Sequence, residues 1–569
     1  MFVRVNSGES RALKSTNEKE RKYKASFSPI KSQFMTSPAV SDFSPSTPES
    51  AIDCDVLVIG GGINGCGIAR DLAGRGWRVV LCEKDDLAAH TSSSSTKLIH
   101  GGLRYLEYYE FSLVRKALQE REVLLKSAPH IMWPLRFVMP HDPSMRPAWM
   151  VRLGLFMYDH LAKREVLPGS RSINLRKHVA GEPLKKSYRR GFVYSDGWVD
   201  DARLVVLNAI DARSKGAQVL TRTRCVSAQR GADHWIATLE GLEGQRSVRA
   251  RAVVNAAGPW AEAFLRGVAR SAKGESLATK SLRLVKGSHI VVKRVFEHDH
   301  AYIFQNPDKR IIFAIPYEQE FTLIGTTDIE LKGDDPGAAK ISADEITYLC
   351  TQASRYFEKP VTPADVVWTY SGVRPLLDDE SGDPSAVTRD YMLESSTSAA
   401  PLLSVWGGKI TTFRKLAEDA ADEVGKMLGE GRAKRPAWTD GAFMPGGDLS
   451  AFIGAPARPD NDFERFVKAI QARYTWLDAK LARRLARAYG ARMTDLIDTA
   501  TSMADMGVEV APGLHERELR FMQNEEWAIR PDDVLWRRSK LGLHYTPQQQ
   551  EQVAAWLQVN AKSAGSVRD

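Results

Sequence analysis

The chain has 569 residues, more than one hydrophobic core ordinarily serves, so two or three domains are expected. Apolar residues make up 43% and charged residues 26%, near globular averages and ample for a buried core, while 79 Lys and Arg against 70 Asp and Glu leave a net charge of +9. No apolar run approaches the ~18 residues of a membrane-spanning helix. The five cysteines are irregularly spaced and form no C-x-x-C pair, which argues against a disulfide framework and a structural zinc site and for a reducing compartment.

The basic excess is spread along the chain, and its plainest reading is a solvated basic surface. A positive field also favours an anionic substrate or an anionic membrane surface. No nucleic-acid motif is present, and no metal site is expected. Residues 1–50 are polar, rich in Ser, Lys and Pro, and lack both helical and strand periodicity. They read as a disordered extension; Glu9, Glu18 and Glu20 speak against a transit peptide, and Met35 is an alternative initiator.

Order is expected from Asp55. Residues 55–60 form a short β-branched apolar run, the signature of a buried parallel strand. A helix over 63–75 and a second apolar strand over 78–83 complete a βαβ unit. Between strand and helix lies Gly60-x-Gly62-x-x-Gly65. In such a turn the first glycine allows the tight bend and the second lets the backbone approach a pyrophosphate. The third lets helix and strand pack closely. Glu83 ends the second strand, about 20 residues on, where an acid takes ribose hydroxyls.

That turn alone does not choose between NAD and FAD. Residues 91–97 are a run of hydroxyls ending in Lys97, with Ser93 and Ser94 inside it, followed by His100-Gly101-Gly102-Leu103-Arg104-Tyr105. On composition alone the run is a flexible serine loop; with the double glycine it offers many small donors to a large phosphate-bearing cofactor. Further strands are expected at 218–220, 252–255, 289–292, 311–315, 322–325 and 401–406. The segment 253–260 reads as a strand ending in a turn at Gly258, beside the nucleotide. Gly407-Gly408-Lys409-Ile410-Thr411-Thr412 leads into a helix, which suits the pyrimidine edge of a flavin: a helix N-terminus and a lysine can stabilise negative charge there. From about residue 430 Ala/Arg/Leu helical patterns take over, clearest at 463–474, 478–489 and 548–557, and read as a separate helical domain.

The motifs together resemble the aerobic, FAD-dependent glycerol-3-phosphate dehydrogenases. The residues that carry the likeness lie at 58–76, 92–125, 194–205, 286–292, 324–328, 368–376, 407–419 and 532–543, from Asp55 to about Leu557. The resemblance implies an α/β fold of the amino-acid-oxidase group: an FAD-binding Rossmann-like domain interleaved with a β-rich substrate domain over 51–430, and a helical C-terminal domain over 431–569. It implies oxidation of sn-glycerol 3-phosphate to dihydroxyacetone phosphate, with electrons passed to a membrane quinone by a protein attached peripherally to the inner, cytoplasmic face of the cell membrane. A homodimer is compatible with it.

Carried onto this chain, the family pattern places a phosphate clamp at Arg374, with Arg104 and Tyr105 beside it; arginine binds phosphate bidentately and stays charged. His289 is the candidate base for the substrate hydroxyl, and Lys409 is its competitor. His100 reads as a flavin contact and Asp328 as a buttress. Residues 146–158 mix Arg, Trp and apolar side chains, as either an interfacial segment or a buried core helix would, and Thr411–Leu428 with Arg432, Lys434 and Arg435 is a second basic candidate, diluted by its acidic residues. The rivals are an oxidase of the same fold using O2, an amine- or amino-acid-oxidising flavoenzyme, and a non-catalytic nucleotide-binding regulator.

Overall fold

In a computed structural model of the protein, the structure describes residues 53–142, 146–333, 335–378, 390–431 and 434–564. The expected extension over 1–50 lies outside them. The strand Cys54–Ile59 pairs in parallel with Val79–Cys82 on one side and with Gly244–Asn255 on the other. Gln218–Leu220 and Leu402–Gly407 extend the parallel order at either end. Val56 and Val58 face a cluster of helices while Leu57 and Ile59 face the opposite core, so the strand is buried on both sides. That is why its sequence is a continuous apolar run rather than an alternation. Helix Ile63–Gly74, helix Asp201–Ser214 and helix Phe413–Met427 cover the first face.

Strand Gly244–Asn255 runs well beyond the expected 252–255. Its first half pairs antiparallel with Trp235–Gly241, which pairs with Arg224–Arg230. Sequence periodicity did not separate this meander, because its outer half alternates with charged residues.

Among the described residues, a second, mainly antiparallel sheet of ten strands forms the β-rich layer. Strand Leu282–Lys293 is central to the site. It pairs antiparallel with Val366–Leu377 and with Phe321–Gly325. The register sets His289 opposite Tyr370, Gly287 opposite Gly372 and Val285 opposite Arg374. Residues two apart share a face of a strand, so Tyr370, Gly372 and Arg374 line up beside His289 and Gly287.

Beyond residue 450 helices dominate, with their own apolar cluster from Phe463 through Leu485 and Met522 to Leu557. Asp478 caps helix Ala479–Tyr489, accepting backbone N–H groups of Lys480 and Leu481 at 2.9 and 3.0 Å. A short hairpin, Glu509–Ala511 with Leu514–His515, was not expected.

Two basic segments turn out differently. Helix Ala148–His160 exposes Trp149, Met150, Leu153 and Phe156 and buries Leu155 and Tyr158, so its outward face is apolar. It is not a core helix. Helix Phe413–Met427, by contrast, buries Leu416, Ala417, Ala420 and Val424 in the first cluster, and Arg435 beyond it pairs with Glu430. The apolar face of this second candidate is therefore core, while Lys426 and Lys434 stay exposed and Arg432 lies outside the described residues. Among the described residues no helix is long and apolar enough to cross a membrane.

Candidate functional site

A single cavity of about 720 Å³ runs from the glycine turn to the paired strands of the second sheet. At one end, Glu83 accepts the backbone N–H of Gly61 at 2.7 Å and of Asp85 at 2.8 Å. Burial pushes this carboxyl above its ordinary value, and the two N–H groups oppose that. Gly60 has φ +112°, and a Cβ there would stand 2.5 Å from the Ala256 carbonyl oxygen. Helix Ile63–Gly74 begins just beyond with no acid in its first turn, and the N–H of Ile63 donates to the Ser92 hydroxyl at 3.0 Å. A helix start free of acidic side chains favours an anion.

The middle of the cavity is walled by Ser94, His100, Gly258 and the segment Gly408-Lys409-Ile410-Thr411. The His100 N–H donates to the Thr411 hydroxyl at 3.2 Å, joining the loop after the serine run to the turn before helix Phe413–Met427. The side-chain amide of Asn64 reaches the Gly407 carbonyl at 3.2 Å, while its buried oxygen has no partner among the described residues. That orphaned acceptor, the dipole of the helix and the glycine cradle fit a dinucleotide laid along the cavity.

At the far end His289 and Arg374 stand on one face of the paired strands. The His289 ring is buried, with Nε2 3.0 Å from the Thr96 hydroxyl and Nδ1 unpartnered among the described residues. Tyr370 lies parallel to it at 4.7 Å and 14°. Burial first, then the charges of Arg374 and Lys97, hold its pKa well below 6.5, so the imidazole is neutral. Arg374 pairs with Asp328 and donates to the Thr326 hydroxyl at 3.1 Å. Gly325 lies against the His289 ring, where a Cβ would meet Cδ2 at 2.2 Å. Lys409 Nζ sits 3.7 Å from the centre of the Tyr105 ring.

The cavity thus gathers Gly60, Gly62, Glu83, Ser94, His100, Tyr105, Gly258, His289, Arg374, Gly408, Lys409, Ile410 and Thr411. Six expected contacts lie elsewhere. Gly65 packs helix on strand, since a Cβ would stand 1.9 Å from the Gly60 carbonyl oxygen. Ser93 donates to the His90 carbonyl. Lys97 turns away behind the loop: its buried ammonium needs a counter-charge, which Asp201 supplies at 2.8 Å. Gly101 packs on Leu118 and Tyr158. Gly102, at φ +77°, leaves room for the Tyr105 ring to fold back inward. The same turn sends Arg104 outward to the Tyr108 hydroxyl at 3.2 Å, so the second expected arm of the phosphate clamp is not in the cavity.

Four contributors were missed. Thr96 was read only as part of the hydroxyl run, Asn64 as an unassigned position inside the turn. Tyr370 and Thr326 lie in segments that carry the family likeness, but the likeness gives them no role, because their roles depend on strand register. Thr91 and Tyr370 also fasten the serine loop to strand Val366–Leu377, through the Val373 and Ser95 carbonyls at 2.7 and 2.8 Å.

Residues 55–414 match the family model for FAD dependent oxidoreductases, and residues 438–566 match the C-terminal domain of alpha-glycerophosphate oxidase. A glycerol-3-phosphate dehydrogenase of Pseudomonas aeruginosa is 52% identical over 520 residues, covering 90% of this chain and 96% of its own. A D-erythritol 1-phosphate dehydrogenase of Brucella abortus is 49% identical, covering 89% and 97%. The crystal structure of the glycerol-3-phosphate dehydrogenase from Bacillus halodurans, complexed with FAD, superposes with a TM-score of 0.70 at 28% identity, over 89% of this chain and 90% of that one. The family model and the Bacillus halodurans complex both name FAD, and FAD is the cofactor this cavity fits. The chain belongs to the FAD-dependent oxidoreductase family and, within it, to the group that contains the glycerol-3-phosphate dehydrogenases.

Proposed function

We propose that the protein oxidises sn-glycerol 3-phosphate to dihydroxyacetone phosphate and passes the electrons to a membrane quinone. The observation that carries this reading is the placement of a neutral, buried His289 and a cationic Arg374 on one strand face, four residues apart in the pairing register, with the Gly287–Gly372 pair between them. Arg374 holds the phosphate, a dianion that suits a planar guanidinium already oriented by Asp328. The C2 hydroxyl then lies toward His289, which takes its proton as the carbonyl forms. Bound FAD supplies the two-electron acceptor for the hydrogen leaving C2. Phosphate on Arg374 offsets one of the two charges that depress His289, bringing the imidazole nearer to working pH. Lys409 and Tyr105 close the site from the cofactor side, and Lys409 is the alternative base.

The erythritol-phosphate relative favours a second reading with the same clamp and a longer polyol. The purified yellow protein, mixed anaerobically with each phosphate, separates the two: glycerol 3-phosphate is expected to bleach the flavin faster. Slow or absent bleaching by it counts against the first reading. Peroxide yield against quinone reduction separates oxidase from dehydrogenase.

The membrane part of the proposal rests on helix Ala148–His160. Its 13 residues are too few to span a bilayer, but Trp149, Met150, Leu153 and Phe156 project outward, with Arg146 and Arg152 close in sequence. Such a helix lies in the interface on the inner face of the cell membrane, where quinone is reachable. Flotation with liposomes tests it, and replacement of Leu153 and Phe156 by Ser is expected to abolish flotation. On this reading residues 51–430 carry the chemistry and 431–569 an accessory domain.

A further inference from the structure

The turn Asp533–Arg538, in the helical C-terminal region, reaches two separate walls of the cavity from behind. Its first contact is Asp86, a buried carboxylate three residues after Glu83. Asp86 accepts two N–H groups of Arg538 at 2.6 and 2.8 Å and Nε–H of Arg537 at 2.6 Å. Arg537 and Arg222 each donate to Asp533 at 2.6 Å. Arg222 also donates its backbone N–H to the Asp85 carbonyl at 2.8 Å, and Thr223 to Val226 beyond it line the cavity. Three guanidinium groups and two carboxylates thus form one buried network. A hydrocarbon cluster would hold such a junction equally well. What the forked charge pairs add is direction, since each fixes the angle at which the Glu83 loop meets the turn.

The second contact is aromatic. Trp536 lies parallel on Trp368 at 4.5 Å and 8°. Trp368 touches Tyr370 at 5.2 Å, and Tyr370 lies parallel on His289. Ring against ring, the contact runs from the C-terminal region to the candidate base.

We propose that the turn Asp533–Arg538 is a positioning clamp on the site: through Asp86 it sets the loop that holds the FAD ribose, and through Trp536, Trp368 and Tyr370 it sets the imidazole of His289. Arg538 and Trp536 lie outside the cavity lining, so both act through other residues. The aromatic arm rests on the proposed role of His289; the ionic arm rests only on FAD binding. Coupling of this kind is reciprocal, so bound FAD must also tighten the turn.

The test uses the full-length holoenzyme. Hydrogen exchange of peptides covering 533–543 is expected to be slower with FAD bound than after its release. Arg538→Lys, which keeps the charge but loses the fork, and Arg538→Met are expected to release FAD about tenfold faster, while the flavin still bound is reduced by glycerol 3-phosphate at the parent rate. Trp536→Ala is expected to do the reverse: parent FAD release, with flavin reduction slowed about tenfold and restored by Trp536→Phe. Variants that lower only the unfolding temperature, with release and reduction unchanged, overturn the clamp. So does exchange of 533–543 that ignores FAD. If glycerol 3-phosphate fails to reduce the parent protein, the substrate reading falls, and FAD release and exchange still decide the ionic arm.

Discussion

Gly287 and Gly372 face each other across strands Leu282–Lys293 and Val366–Leu377, two residues from the His289–Tyr370 pair on the same face. A methyl group at either meets a different part of the site. At Gly287 it would stand 2.4 Å from Arg374 Nη2, the mobile end of a side chain. At Gly372 it would stand 2.8 Å from Ser94 Cβ and 3.2 Å from the Ser94 carbonyl oxygen, in a loop that walls the cofactor cavity. Gly287→Ala is therefore expected to raise KM for substrate with FAD retained, and Gly372→Ala to weaken FAD retention. Steady-state kinetics and flavin content of the two variants read this directly, and identical phenotypes would contradict it.

On the proposed reading Arg374, one of the cations lining the cavity, holds the phosphate, and Asp328 and Thr326 already orient it. Arg374→Ala removes two charge-assisted hydrogen bonds, together worth about 3 kcal/mol, so KM should rise on the order of a hundredfold with FAD still bound. Wild-type affinity in the variant would move the clamp elsewhere, with Lys409, which also lines the cavity, the first place to look.

His289 is neutral and within the cavity, as a proton acceptor must be. His289→Gln is expected to slow anaerobic flavin reduction by roughly 10²–10⁴-fold while substrate still binds. Stopped-flow traces that match the parent would hand the base role to Lys409.

His130 gives a pH signature independent of activity. It is fully buried, neither ring nitrogen is hydrogen-bonded among the described residues, and Arg203, Arg492 and Arg487 are near. Burial first, then those charges, hold its pKa well below 6.5 in the folded protein. The proton is thus taken up only by the unfolded chain. The stability this supplies is fully present above the unfolded pKa of about 6.5 and is lost as pH falls below it, at about 1.4 kcal/mol per pH unit. Denaturant titrations at pH 7 and pH 5.5 should show the loss, and His130→Phe should show less of it. Equal losses in the two proteins would mean that His130 is not excluded from protonation when folded.

Much of the cofactor end was readable along the chain. The turn at Gly60, the acid at Glu83 and the segment from Gly408 to Thr411 are local devices: their function follows from backbone geometry within a few residues, and they keep their spacing in the linear chain. The strands at 218–220 and 322–325 were legible for the same reason, as short apolar runs bounded by turns. The aim of individual side chains was not. Arg104 and Tyr105 are adjacent, and only the left-handed turn at Gly102 decides that the tyrosine enters the cavity and the arginine leaves it.

The substrate end depends on folding over long separations. That His289 shares a face with Arg374, 85 positions later in the numbering, is a matter of strand register, and a slip by one residue would turn one of them away. In sequence Lys97 ends the serine run and reads as a cofactor contact; the tertiary structure buries it against Asp201, since a desolvated ammonium must have a counter-charge. Local chemistry thus identified the turn, the acid and the kinds of residue required. Which of them meet in one cavity was decided by pairing register and by the electrostatic cost of burying charge.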